Sequence, residues 1–256
     1  MESKRELRRL LEMNGVGREW EPILLPALES LESEYREWIL GGEGYIPSKE
    51  RLLAAFSTLR PEDLRYILFG QDPYPREESA VGYAFIDGRV KRIFSQTGLS
   101  REVNRATSLR NFIKMALAAE GLLKCTELSQ QAIAALPKEE LIDSIDELRK
   151  NFEANGVLLL NMALLFSTKE ESKRHIKAWR SFVERLLQGL ASYQPGLILF
   201  GAHARELRKL KGAEAFETIE LEHPYNVSFV CNSKAWELFG PMHLLRRKKE
   251  LKSMNL

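Results

Sequence analysis

The chain has 256 residues, 44% of them hydrophobic, enough to bury one large core. Its 38 basic and 36 acidic side chains leave a formal charge of +2, so overall charge does not announce a polyanion ligand. Cys125 and Cys231 lie far apart without metal-ligand spacing, the start MESKRELRRL lacks the apolar core of a signal peptide, and no run approaches roughly eighteen apolar residues; these features argue against a disulfide scaffold, a zinc site, secretion and a membrane span, and predict a cytoplasmic protein.

In chain order, residues 1–44 read as a helical N-terminal extension of a single domain covering 1–256, because no Pro or Ser/Gly tract and no internal repeat marks a second one. Periodicity predicts helices over 26–40, with Pro26 in the first turn, and over 49–56 behind a Ser48 cap. A continuous apolar run predicts a strand over 66–69. Then come a helix over 108–119, capped by Thr107 or Ser108 and ended by Gly121, and another over 138–152. Strands over 157–160 and 197–200 and a weaker one over 218–221 alternate with helices over 171–190, 202–210 and 233–251. Apolar strands alternating with amphipathic helices indicate an α/β fold whose mostly parallel sheet is covered on both faces.

Unusual polar residues fall where these strands end: Gly70-Gln71-Asp72, then Asn161, then Gly201, then Glu222-His223-Pro224. In open α/β sheets ligands bind at the carboxyl ends of strands, so four segments point to one crevice. Gly70-Gln71-Asp72-Pro73-Tyr74-Pro75 is a rigid turn around a carboxylate, which suits preorganised catalysis and equally suits a loop whose aspartate caps a turn. Asn161 interrupts an apolar run; its amide matches the donor–acceptor edge of a pyrimidine, or could bond a loop carbonyl. His223, beside a proline after a strand, sits where catalytic histidines are often found, whereas His175, His203 and His243 read as surface or packing residues within helical patterns. Basic runs such as Arg205 with Arg208-Lys209-Lys211 could touch phosphates or simply form solvated helix faces.

Together these segments resemble, in order and spacing, the uracil-DNA glycosylases of bacteria, viruses and mitochondria. Gly70-Gln71-Asp72-Pro73-Tyr74 reproduces that family's water-activating GQDPY loop letter for letter, and the likeness runs from about Tyr45 to about Leu245. Gly82-Tyr83-Ala84-Phe85 is similar to its Gly-x-x-Phe segment, Leu158-Leu159-Leu160-Asn161 to its uracil-recognition strand, and Ser108-Leu109-x-Asn111 to the helix after its proline-rich loop. The resemblance implies a three-layer α/β/α sandwich around a four-stranded sheet. It implies catalysis by Asp72 and His223, and base binding by Gln71, Tyr74, Phe85 and Asn161. DNA contacts are implied for Pro75, Ser108, Gly201, Ala202, Pro224, Tyr225, Asn226, Val227 and Ser228. The expected activity is hydrolysis of the N-glycosidic bond of a uracil flipped out of DNA, leaving an abasic site without strand cleavage, by a monomer needing no metal or cofactor.

The departures concentrate in DNA handling. Pro75 replaces a histidine, Ala202 a serine, Asn104-Arg105-Ala106-Thr107 the proline-rich run, and His223-Pro224-Tyr225-Asn226-Val227-Ser228 the family's His-Pro-Ser-Pro-Leu-Ser. Val227 is shorter than the leucine that wedges into the duplex, which leaves Tyr225 or Phe229 as alternative wedges and suggests a preference for single-stranded or distorted DNA. Two other readings are a glycosylase for another modified base and a DNA-binding homologue that has lost activity.

Overall fold

The structure, a computed structural model, describes residues 2–201 and 206–247. The backbone groups into two compact units, Met1–Arg89 with Phe152–His223, and Val90–Asn151 with Pro224–Leu256. Strand β1 is Tyr66–Gly70; β2 (Phe94–Ser95) and β3 (Gly98–Leu99) form a short antiparallel hairpin in the second unit. Strands β4 (Val157–Asn161), β5 (Gly196–Phe200) and β6 (Thr218–Leu221) join β1 in the first unit as a parallel sheet of order β4-β1-β5-β6. The helices are α1 (Glu2–Met13), α2 (Glu21–Glu29), α3 (Ser33–Gly41), α4 (Arg101–Arg105), α5 (Thr107–Ala119), α6 (Gln130–Ala134), α7 (Ile145–Ala154), α8 (Ser172–Leu190) and α9 (Ser233–Phe239). Among the described residues none is long and apolar enough to cross a membrane.

All four expected sheet strands form. Side chains alternate across a strand, so Ile67, Leu158 and Leu197 belong to one face and Leu68, Leu159 and Ile198 to the other, yet all six are essentially buried. Burial on both faces explains the uninterrupted apolar runs. β6 is only partly buried and leaves Glu220 exposed, which is why its run is the weakest, whereas β4 at the opposite edge is buried throughout. The first face packs on a core that also holds Leu7, Leu10, Trp20, Leu24 and, from α8, Trp179 and Phe182. Trp20 fixes this arrangement by donating its Nε1–H to the Leu59 carbonyl at 2.7 Å.

Helix boundaries differ from expectation for identifiable reasons. The helix expected over 26–40 is two, α2 and α3, with Pro22 rather than Pro26 in the first turn of α2 and Pro26 inside it. Between them Glu32 is extended while Leu31 is buried. The helix expected over 49–56 is a pair of 3₁₀ turns, Lys49–Arg51 and Ala54–Phe56. Asn14 accounts for the break: its Nδ2 donates to the Lys49 carbonyl at 2.9 Å and its Oδ1 accepts from the Leu53 N–H at 2.8 Å. Those two groups would otherwise bond each other in an α-helix. Neither Ser48 nor a side chain ahead of α5 makes a capping hydrogen bond, and Ala106 precedes α5 as its cap residue. Gly121 does end that region left-handed, at φ 68°. The segment over 138–152 divides into a 3₁₀ turn, Lys138–Glu140, and α7; that over 233–251 divides into α9 and the turn Gly240–Met242, its end lying outside the described residues.

In the second unit the two free cysteines approach each other despite their separation in sequence, with Cys231 Sγ 3.9 Å from the Cys125 carbonyl oxygen. The same unit buries a carboxyl group. Glu120 follows α5, has a side chain 1% exposed, and accepts the Leu245 N–H at Oε1 over 2.9 Å. Its Oε2 has no hydrogen-bond partner, and Arg246 Nε is 4.0 Å away. Burial therefore pushes its pKa up to about 7, against the opposing pull of the Leu245 N–H and of Arg246. With the folded value above the unfolded one, the folded state holds a proton that the unfolded state has released, so stability falls as pH rises from about 4.5 to about 7 and then levels. Urea unfolding at pH 5 and pH 8 is expected to show Glu120→Gln losing less stability than the parent over that interval, by on the order of 2–3 kcal/mol. Identical pH dependence for the two proteins would remove this assignment.

Candidate active site

Because the four strands run parallel, their carboxyl ends lie along one edge of the first unit, where Gly70 pairs with Asn161 and Phe200 with Leu221. Neighbouring strands stand about 4.8 Å apart, so the segments leaving β1 and β6, two strands away, are separated by about 10 Å. Gln71 and Asp72 follow β1, Asn161 closes β4, Gly201 follows β5, and His223 comes two residues after β6.

Asn161 closes β4 and is 7% exposed, and among the described residues no protein group hydrogen-bonds its side-chain amide. A buried amide without a protein partner is held ready for one from outside. Its neighbour makes room for it. A Cβ at Gly70 would stand 2.2 Å from Asn161 Oδ1 and 3.0 Å from the Ala84 Cβ, so glycine at the end of β1 lets the amide lie over the strand. Beyond Gly70 the chain stays tied to β4, with the Met162 N–H donating to the Gly70 carbonyl and the Ala163 N–H to that of Gln71, each at 3.0 Å.

Phe85 is held in a left-handed backbone conformation, φ 64°, which a bulky side chain rarely adopts and which costs on the order of 1–2 kcal/mol. Ala84 fixes it from one side by donating its N–H to the Leu159 carbonyl at 3.1 Å, and the Ala80–Asp87 bridge closes the loop. The ring meets Phe200 edge-on with centroids 5.2 Å apart, and Phe200 in turn lies 6.3 Å from the His223 ring. Gly201, at φ 62°, supports that histidine from behind: a Cβ there would sit 3.1 Å from the His223 Cβ. Thus Asn161, Gly70, Ala84, Phe85, Phe200 and His223 form a continuous line of contacts along the sheet edge.

Asp72 is half-buried and accepts the Ser172 hydroxyl at Oδ2 over 2.5 Å; among the described residues no protein donor reaches Oδ1. Tyr74 is half-buried, and loss of solvation, with Asp87 adding to it, pushes its phenol up to about 12, so the hydroxyl stays protonated. Pro75 is exposed. Sequence reasoning overlooked Ser172, the first residue of α8, and read His175 as a surface or packing residue. His175 is 2% exposed; its Nδ1 bonds Tyr35 Oη and its Nε2 bonds Ser167 Oγ, both at 2.7 Å, and its ring stacks on Trp38. Burial lowers its pKa. Nothing local in the sequence distinguishes these two residues from an ordinary helix start.

The second unit carries the remaining expected residues. Tyr225 and Val227 are 66% and 75% exposed, Asn226 and Ser228 are exposed, and Pro224 is buried. Phe229 is fully buried and thereby ruled out as an alternative wedge. The loop is held at its root by Asn111, 3% exposed on α5, whose Nδ2 donates to the carbonyls of Pro224, Tyr225 and Asn226 at 2.8, 3.2 and 3.4 Å. Ser108 lies half-buried in the first turn of α5. Ala202 lies outside the described residues. Among those residues no group of three or more His, Cys, Asp or Glu side chains could hold a metal ion.

The chain matches no protein-family model. It is 31% identical over 193 residues to a uracil-DNA glycosylase of Parafrankia sp. (strain EAN1pec), covering 74% of this chain and 70% of that protein. The crystal structure of the wild-type UNG from Nitratifractor salsuginis is 67% identical and superimposes with a TM-score of 0.94 over 95% of this chain and 98% of that one. The chain belongs to the uracil-DNA glycosylases. The crystal structure of mimivirus uracil-DNA glycosylase, 20% identical with a TM-score of 0.55 over 84% of this chain and 71% of that one, shares the fold. In this uracil-DNA glycosylase, as in those structural relatives, a four-stranded parallel sheet is flanked by helices, as the alternation of apolar runs and amphipathic helices implied.

Proposed function

We propose that Asp72, Asn161 and His223 divide between them the work of recognising uracil and releasing it from DNA. As a uracil-DNA glycosylase the protein hydrolyses the bond between uracil and deoxyribose, and the base must leave the stack to reach groups at a sheet edge. The observation that carries the assignment is the Asn161 amide, buried at the end of β4 without a protein partner among the described residues, over a glycine that clears its space. An amide presents one acceptor and one donor, which pairs with uracil N3–H and O4 and mismatches the reversed pattern of cytosine. Phe85 offers a ring for stacking, and Tyr74 fills the volume that a thymine methyl would need.

Water, oriented by the Asp72 carboxylate, adds its oxygen to C1′ as the C1′–N1 bond breaks. The carboxylate takes the water proton and stabilises the positive character of the sugar, while the bonding electron pair departs with the uracil. His223 donates a ring N–H toward the uracil oxygen on which that charge gathers. This chemistry needs neither metal nor cofactor, and the reading has the chain act as a monomer in the cytoplasm. It leaves an abasic site, since no lysine of the sequence aligns with a catalytic position of the family.

Tyr225 and Val227, at the exposed tip of the loop rooted on Asn111, are the side chains that would enter the duplex, and with only valine at the leucine position the wedge is short. Uracil release is therefore expected to be at least as fast from single-stranded as from well-paired DNA, and absent for hypoxanthine, hydroxymethyluracil and thymine in the same oligonucleotides. Faster release from paired duplex overturns the strand preference; release of those other bases without uracil overturns the base assignment.

A further inference from the structure

We infer that Ser172 is a positioning residue for Asp72: it holds one carboxylate oxygen so that the other faces the water. The inference rests on the proposed role of Asp72 and extends it to a side chain that lies 100 residues away in the sequence. At 2.5 Å the Ser172 hydroxyl makes a short hydrogen bond of the charge-assisted kind, donated into Oδ2. Oδ1 is left without a protein donor among the described residues. A carboxylate turns easily about its last bond, and in water its two oxygens are equivalent. Anchoring one of them makes the two different, and the remaining lone pairs point in one direction.

The anchor is itself held firmly. Ser172 opens α8, a helix of 19 residues whose inner face, with Trp179, Phe182, Val183 and Leu186, is entirely buried. One turn on, His175 is gripped by Tyr35 on one ring nitrogen and Ser167 on the other and stacks on Trp38 with ring planes 5° apart. The first turn of α8 cannot swing without breaking both hydrogen bonds and unstacking the ring. The serine hydroxyl is thus carried on a fixed frame, while Asp72 sits on a loop stiffened by Pro73 and Pro75.

The test compares the parent, Ser172→Ala, Ser172→Thr, Asp72→Asn and the double variant Asp72→Asn/Ser172→Ala, using single-turnover release from a single-stranded uracil oligonucleotide, DNA binding and thermal unfolding. Ser172→Ala is expected to lower the release rate on the order of 10- to 100-fold, with DNA affinity and melting temperature unchanged. Ser172→Thr, which keeps the hydroxyl, is expected to recover most of the rate. In the Asp72→Asn background removing the serine should change nothing further, because its only partner in catalysis is gone. A full rate in Ser172→Ala, a loss that tracks melting temperature, or losses that multiply in the double variant overturns the inference. A full rate in Asp72→Asn instead overturns the role of Asp72 on which it rests.

Discussion

Asp72→Asn is expected to release uracil about a thousandfold more slowly than the parent while binding uracil-containing DNA with similar affinity. The substitution keeps size and leaves an oxygen for the Ser172 hydroxyl to reach, so the loop and its contact at the start of α8 persist. It removes the negative charge and the capacity to take a proton. General-base participation contributes on the order of 10²- to 10⁴-fold, and stabilisation of a cationic sugar acts in the same step. Because both effects belong to the transition state, the loss should appear in the single-turnover rate and not in binding. Measured rates within a few-fold of the parent would remove the carboxylate from the mechanism and leave base recognition alone standing.

The second large effect is expected at His223. Truncation to alanine takes away the donor we propose for the departing base, and loss of one such donor lowers a rate on the order of 10²- to 10³-fold, about 3–4 kcal/mol. His223 is positioned by its backbone, with Gly201 against its Cβ and the Phe200 ring beside its own, and neither support depends on the imidazole nitrogens. His223→Ala should therefore fold and bind DNA normally, and its defect should be larger for uracil than for 5-fluorouracil, whose fluorine is nearly as small as the hydrogen it replaces and whose ring carries the leaving charge more readily. A defect of equal size for both substrates would indicate that the side chain shapes the site without stabilising the leaving group.

What could be read from sequence divides along physical lines. β1, β4 and β5 were legible because each is a nearly unbroken apolar run buried on both faces; β6, half-exposed with Glu220 in solvent, gave the faintest signal. That Asp72, Asn161 and His223 stand at the carboxyl ends of strands was legible because each is a polar residue that closes or follows such a run. The helix expected over 49–56 failed because Asn14, far away in the chain, takes the two backbone groups that would have closed its first α-helical bond. No local propensity encodes that competition. Ser172 escaped notice, and the reading of His175 as a surface or packing residue stopped short of its partners, for a related reason: a serine opening a helix and a histidine one turn later are common, and only the fold sets them against Asp72, Tyr35 and Ser167.

The bonds from Asn111 reach only main-chain oxygens, those of residues 224, 225 and 226. An anchor of this sort is blind to which side chains the tethered residues carry. Substitutions at Tyr225, Asn226 or Val227 should therefore leave the root of the loop in place, so the tip can be altered in how it meets nucleic acid without moving its attachment to α5.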